Sequence, residues 1–246
     1  MGLGLEGGRA FLYSASRMVL QRFNASVLGP LERPALAWMA AHMPARVTPD
    51  HLTVLGIFGA LLAATGYILS RLSLLWLALA SAGLLINWIG DSVDGTLARY
   101  RKIERPRYGF FVDHCSDLFG NVMVFLSLGI SPCAHFSIAC LGLIAFLMCF
   151  VFTLIGAQVR STMRITYLGF GPTEIRALLF FGNLMVLIKG VVSIQVPLWP
   201  FNLYGPLSTY DLGILILAAA GAVLIATMSI RESRALALED PPRTSR

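Results

Sequence analysis

Six segments of the chain are predicted to cross a membrane as helices. Four of them contain no Lys, Arg, Asp or Glu: residues 52–70, 73–90, 134–157 and 212–230. Each is close to the roughly 17–25 residues that span a hydrocarbon core as helix. Because lipid cannot satisfy backbone polar groups, such runs are helices rather than strands. Residues 110–130 and 173–193 complete the set, and each is apolar apart from a few ionisable positions.

The composition agrees with this pattern. Hydrophobic residues make up 57% of the 246 positions and charged residues only 13%, whereas soluble domains average about 25% charged. The predicted fold is therefore an all-α integral membrane protein with six transmembrane helices. We divide it into an N-terminal cytoplasmic, interfacial amphipathic segment (residues 1–45), a six-helix membrane domain (residues 46–235) and a cytoplasmic tail (residues 236–246).

The basic residues predict the orientation. With six spans, 17 of the 19 Lys and Arg residues fall on the side that holds both termini, and only Arg71 and Lys189 fall toward the other. The positive-inside rule makes the first side cytoplasmic. The net charge of +6 then reflects contacts with anionic lipid headgroups, and it gives no reason to expect nucleic acid as a partner.

Four aspartates lie within or beside these apolar segments. Asp91 and Asp94 are three residues apart, and Asp113 and Asp117 are four apart, so each pair shares one helix face. The basic stretch between the pairs is predicted to be a cytoplasmic hairpin, with Pro106 marking a break in the helix. The two helices are then antiparallel, and the four carboxylates converge in one pocket near the cytoplasmic surface.

Carboxylates are costly in a membrane, at roughly 2.5–3.5 kcal/mol each on the insertion scale, so a functional role is expected. An oxygen-only ligand set is typical of Mg²⁺ or Mn²⁺, and two such ions would suit phosphoryl transfer. Gly95, Ala98 and Gly109 leave the surrounding helix faces open, and Arg99 offers charge to phosphate. An alternative is that the aspartates pair with hairpin arginines, Arg99, Arg101 or Arg107, in a structural role.

The stretch Asp91-x2-Asp94-Gly95-x2-Ala98-Arg99, followed after nine residues by Gly109-x3-Asp113-x3-Asp117, resembles the signature of the CDP-alcohol phosphotransferases. The resemblance covers roughly residues 45–235. It implies a phospholipid-biosynthetic transferase that moves a substituted phosphate from a CDP-linked alcohol to an acceptor hydroxyl and releases CMP. It also implies a two-metal site at the cytoplasmic face and a homodimer.

The resemblance also implies roles for individual residues. The four aspartates would hold the metals, and Asp117 would in addition be the general base for the acceptor hydroxyl. The CDP site would be lined by four further positions of the signature: Gly95, Ala98, Arg99 and Gly109.

The identities of donor and acceptor divide the family into two classes. The Asp-His-x2-Asp form at Asp113 and the Gly-Pro-x-Glu element ending at Glu174 resemble enzymes that use CDP-choline or CDP-ethanolamine with diacylglycerol, and we favour that class. Arg160 resembles instead one of the paired acceptor arginines of CDP-diacylglycerol enzymes, whose acceptors are polar alcohols such as inositol, serine or glycerol phosphate, and Arg164 and Arg176 could supply further charge. The sequence alone is compatible with both classes of donor and acceptor.

Two rival functions are less well supported. An intramembrane prenyltransferase would need aspartate motifs on well-separated helices, whereas all four aspartates here lie within 27 residues. An ion-coupled transporter would be expected to show internal repeats around a midplane site, and we find none in the sequence.

Overall fold

The computed structural model describes residues 21–23, 27–160, 162–164, 171–197 and 205–241. Within these ranges the chain is mostly helical, with two short two-stranded sheets. The helices are α1 (Gly29–His42), α2 (Pro49–Leu69), α3 (Leu77–Tyr100), α4 (Pro106–Ile130), α5 (Phe136–Arg160), α6 (Pro172–Lys189) and α7 (Thr209–Glu239). The strands are β1 (Gln21–Phe23), parallel to β2 (Thr162–Arg164), and β3 (Ser193–Gln195), antiparallel to β4 (Pro206–Ser208).

The predicted all-α membrane architecture is confirmed at the level of its helices. Each of the six predicted segments lies largely in one of the helices α2 to α7. Four stretches are long and apolar enough to cross a membrane: Pro49–Leu69, Leu74–Tyr100, Phe136–Arg160 and Thr209–Glu239. Helices α4 and α6 are not among them, since both carry the ionisable side chains noted above.

Local sequence explains where these helices begin. Pro49, Pro106 and Pro172 each stand in the first turn of α2, α4 and α6, where a missing N–H costs nothing. Thr48 caps α2 by accepting a hydrogen bond from the backbone N–H of His51. Because α3 ends before the hairpin and α4 starts at Pro106, the predicted helical break is confirmed.

Helices α2 and α3 pack with their backbones in direct contact. A Cβ atom added at Gly59 would lie 2.3 Å from the backbone N of Asn87, and one added at Gly90 would lie 2.3 Å from that of Gly56. Equally short approaches occur at Gly66 and Gly83. Small residues that allow close backbone approach are the usual basis of helix association in membranes. We call these five glycines (Gly56, Gly59, Gly66, Gly83 and Gly90) the glycine seam.

Helix α1 packs on the N-terminal end of α2 and on the end of α3 that carries Asp91 and Asp94. Leu36 and Ala40 are buried against Leu52 of α2 and against Val93 and Leu97 of α3. The predicted interfacial segment therefore includes a helix at residues 29–42, and residues 1–20 and 24–26 of that segment lie outside the described part of the chain.

Candidate active site

Three of the four predicted aspartates come together at the hairpin end of α3 and α4. Asp91, Asp113 and Asp117 each offer a carboxylate oxygen, and these oxygens all lie within 4.8 Å of one another. Helix α2 packs closely against both α3 and α4, which approach each other less closely. We call the space between α3 and α4 at these carboxylates the cleft, and each of the three side chains is partly exposed.

Asp94 lies beside this cluster and hydrogen bonds to a different helix. Its Oδ2 accepts a hydrogen bond of 2.6 Å from the Thr53 hydroxyl on α2, and the residue is only 9% exposed. The predicted sharing of a helix face with Asp91 does not bring the Asp94 carboxylate into the group of three. Instead Asp94 links α3 to α2 by this hydrogen bond.

Arg176 of α6 inserts into the cluster. Its Nη1 donates a hydrogen bond of 2.7 Å to Asp91 and its Nη2 one of 3.0 Å to Asp117. The residue is 8% exposed, so its charge is balanced inside the protein rather than by water. A small cavity beside Asp117 and Arg176 is lined by the side chains of Asn87 and Asn121, among others.

Glu32 of α1 was not identified by sequence reasoning, yet it reaches the same region. It accepts hydrogen bonds from the Trp88 indole N–H at 2.9 Å, the Ser92 hydroxyl at 3.4 Å and the Thr173 hydroxyl at 3.1 Å. It is also close enough to interact electrostatically with Arg176. One indication of its role was present in the sequence, since Glu32 is an acidic residue in a mostly apolar helix. Its partners could not be identified because they are distant in sequence.

The predicted nucleotide-binding positions face open space. A Cβ atom at Gly109 would meet no atom within 4 Å, and one at Gly95 would meet only the flexible Arg99 side chain, at 3.4 Å or more. Arg99 is exposed and donates a hydrogen bond to the Thr96 hydroxyl. Ala98 lies one turn beyond Gly95 and is partly buried. This side of the cleft has room for a ligand next to the helix backbone.

Two predicted substrate residues lie in other surroundings. The Glu174 carboxylate accepts hydrogen bonds from the backbone N–H groups of Gly171, at 2.8 Å, and Leu28, at 3.1 Å, and the residue is 6% exposed. It thus caps α6 and fixes the entry to α1. Arg160, at the end of α5, pairs with Glu232 and Glu239 of α7. Of the three predicted substrate residues, Arg176 is the one that lies beside the aspartates.

Two arginines of the hairpin, Arg101 and Arg105, have partners other than the aspartate cluster. Arg101 donates hydrogen bonds to backbone carbonyls in the linker between α1 and α2, including those of Met43 at 3.0 Å and Val47 at 2.5 Å. Arg105 pairs with Asp50, and this hydrogen bond raises the pKa of the exposed Arg105 guanidinium. The hairpin is therefore held to the start of α2.

Three carboxylates around one point, beside an open cleft at a helix end, could hold a hard divalent cation and receive a phosphorylated ligand. None of the curated proteins compared matches the chain. The family model described as CDP-alcohol phosphatidyltransferase matches residues 46–229, which include all four aspartates. Since this match covers three quarters of the sequence, the chain belongs to the CDP-alcohol phosphatidyltransferase family, whose members transfer substituted phosphate groups.

Proposed function

We propose that this protein transfers a substituted phosphate from a CDP-linked alcohol to an acceptor hydroxyl and releases CMP, in phospholipid synthesis. The acceptor oxygen forms a new bond to the distal phosphorus, the phosphoanhydride bond breaks, and its electron pair leaves on CMP. The acceptor hydroxyl proton passes to a base. The observation that carries the proposal is the convergence of Asp91, Asp113 and Asp117 within 4.8 Å, on family-matched helices.

The donor set fits a divalent cation. Carboxylate oxygens are the ligands that Mg²⁺ and Mn²⁺ favour, and three such oxygens at this separation suit coordination of a single ion. Asp91, Asp113 and Asp117 would hold it, and Asp94, at the edge of the cluster, would complete a two-ion site. When bound, the ions supply charge neutralisation for the diphosphate.

The protein's own residues then position the reactants. Gly95 and Gly109 leave room for the nucleotide to approach the helix backbones, with Ala98 beside them, and Arg99 supplies positive charge at the mouth of the cleft. We assign the acceptor hydroxyl's proton to Asp117, which adjoins the small cavity lined by Asn87 and Asn121. Holding both reactants in line is the main source of rate in such a reaction.

For the donor we favour the CDP-choline or CDP-ethanolamine class, with diacylglycerol as acceptor, because of the Asp-His-x2-Asp form of α4. One observation favours the other class. Arg176 supplies a buried positive charge at Asp117, and such a charge could attract an anionic acceptor in a CDP-diacylglycerol enzyme. Glu174 gives no support to a choline site, since its carboxylate already accepts hydrogen bonds from two backbone N–H groups.

The topology is part of the same proposal. Helices α2 to α7 would form six spans, with both termini, α1 and the aspartate cleft on the cytoplasmic side, where a soluble nucleotide meets a lipid. The basic hairpin beside the cleft, with Arg101 and Arg105, supports this orientation. A homodimer remains part of the proposal through the family resemblance.

The test is CMP release by the purified protein in detergent. CDP-choline, CDP-ethanolamine and CDP-diacylglycerol would each be supplied with diacylglycerol and with a panel of polar alcohols. We expect CMP release from one donor class, and its loss in Asp113→Asn. The matched control, Asp240→Asn at the exposed end of α7, should retain full activity. No CMP from any combination would refute the proposal.

A further inference from the structure

Arg176 occupies the position from which a cation would attract the same carboxylates. Its guanidinium donates to Asp91 and Asp117, two of the three members of the cluster, at 2.7 and 3.0 Å. A lone pair engaged by this guanidinium is not available to a metal ion, and two positive groups at one point repel each other. Arg176 and a divalent cation therefore compete for Asp91 and Asp117.

A third acidic side chain, Glu32, bonds to the same face of α6 that carries Arg176. Thr173 precedes Arg176 by three residues on α6, so both side chains share one helix face, and the Thr173 hydroxyl donates to the Glu32 carboxylate at 3.1 Å. After Asp91 and Asp117, Glu32 is the third acidic side chain with an electrostatic influence on Arg176. Hydrogen bonds from Trp88 and Ser92 of α3 hold Glu32 in place next to Asp91.

We infer that Arg176 is a positioning residue, a counter-cation that holds Asp91 and Asp117 until the binding of two divalent ions displaces it toward Glu32. The inference rests on the proposed function in treating the aspartate cluster as the active site. Displacement strengthens the pairing of α6 with α1, because the guanidinium then meets Glu32 rather than the aspartates. Metal loading and the docking of α1 over the cleft are thereby coupled.

The first test measures Mg²⁺ binding alone, by calorimetry on purified protein in detergent. Arg176→Gln removes the competing charge, so Mg²⁺ should bind at least fivefold more tightly than to the wild type. Without Mg²⁺ the same variant should unfold at a lower temperature, since its carboxylates then repel one another, and saturating Mg²⁺ should restore most of the loss. Affinity that rises less than fivefold or falls would overturn the inference.

Two further variants keep this test decisive. Arg71→Gln removes an exposed arginine at the opposite end of the helices and should leave Mg²⁺ affinity unchanged, which excludes a general charge effect. If Arg176→Gln fails to fold, Arg176→Lys replaces it. A lysine keeps the charge but cannot donate as a fork to two carboxylates, so Mg²⁺ should bind more tightly than to the wild type, and equal affinity would overturn the inference.

The second test addresses Glu32. Glu32→Gln keeps an oxygen that can accept from Trp88 and Thr173 but removes the charge that receives Arg176. Mg²⁺ affinity should fall at least threefold, while the exposed control Glu104→Gln should bind Mg²⁺ as the wild type does. Unchanged affinity in Glu32→Gln would overturn the transfer of Arg176 to Glu32.

A fluorescence measurement reports on the same movement. With the other three tryptophans replaced by phenylalanine, Trp88 emission should shift on addition of Mg²⁺ in the wild type, and this shift should vanish in Arg176→Gln. A shift that persists in this variant would overturn the coupling. None of these measurements needs turnover, so a failure of this inference is distinguishable from an absence of CMP release, which refutes the proposed function.

Discussion

Substitution of Gly90 by alanine tests how strongly the glycine seam controls the site. A Cβ atom at this position would lie 2.3 Å from the backbone N of Gly56 and 2.6 Å from the carbonyl oxygen of Leu52. An ordinary contact begins at 3.4 Å, so α2 and α3 must separate by about 1 Å. All the nearest atoms belong to backbone, so no side-chain rotation can relieve the overlap.

The separation reaches the aspartates directly. Gly90 precedes Asp91, and the 2.6 Å hydrogen bond from Thr53 to Asp94 spans the same pair of helices. A misplacement of about 1 Å can cost about 100-fold in rate, and overpacking typically costs about 1–3 kcal/mol in stability. For Gly90→Ala we therefore expect CMP release to fall by about two orders of magnitude and the unfolding temperature in detergent to fall.

Gly66→Ala separates the two effects. A Cβ atom there would lie 2.3 Å from the backbone N of Ala80, an equal overlap at the end of α2 far from the aspartates. It should lower the unfolding temperature as much as Gly90→Ala but retain most of the activity per folded molecule. Gly213→Ala, which meets nothing within 4 Å, should change neither. If Gly90→Ala keeps more than half of wild-type activity, the close packing does not position the site.

Three further predictions follow from the cleft. Excess chelator should abolish CMP release, and turnover that persists in chelator would refute the metal site. Asp91→Asn and Asp113→Asn should also abolish it without loss of fold, because Arg176 keeps its hydrogen bond to Asp117 in both variants. If Asp117 is chiefly the base, Asp117→Asn should stop turnover but keep the Mg²⁺-dependent binding of the CDP-alcohol, measured by calorimetry. Asp91→Asn should weaken that binding. Equal losses of binding in the two variants would make Asp117 mainly a metal ligand. In a cysteine-free background, Glu104→Cys should react with an impermeant thiol reagent only from the cytoplasmic side of the membrane. Leu72→Cys should react only from the opposite side. The reverse pattern would overturn the topology.

The parts of the site that sequence predicts are those fixed by local periodicity. The i,i+4 spacing of Asp113 and Asp117 determines that they share a face of α4, and Pro106 determines where that helix begins. Both features follow from backbone geometry within a few residues. For this reason the helices and the shared helix face of each aspartate pair could be predicted before any tertiary contact was known. The convergence was predicted for four aspartates, and the structure brings three of them together.

The parts that sequence missed depend on contacts between distant residues. Arg176 and Asp91 are 85 positions apart, and Thr173 and Glu32 are 141 apart. Spacing predicts which face of α3 Asp94 occupies, but not that its carboxylate accepts from Thr53 rather than joining Asp91. The glycine seam left a signal in the recurrence of glycine along α2 and α3, yet only the packing shows that the two helices meet there.

The charges around the cleft connect the counter-cation to the number of metal ions. Asp91, Asp113 and Asp117 carry three formal negative charges and Arg176 carries one positive charge, so a single divalent ion neutralises the remainder with Arg176 in place. A second ion, with Asp94 joining the set, balances four carboxylates without Arg176, whose charge then requires another partner. Glu32 is that partner, held next to the cleft by Trp88, Ser92 and Thr173. A buried positive charge is stable only while it is paired, so full metal loading and the movement of Arg176 to Glu32 require each other. The stoichiometry from Mg²⁺ calorimetry is therefore a further test: two ions per chain support the movement of Arg176 to Glu32, and one ion per chain would overturn it.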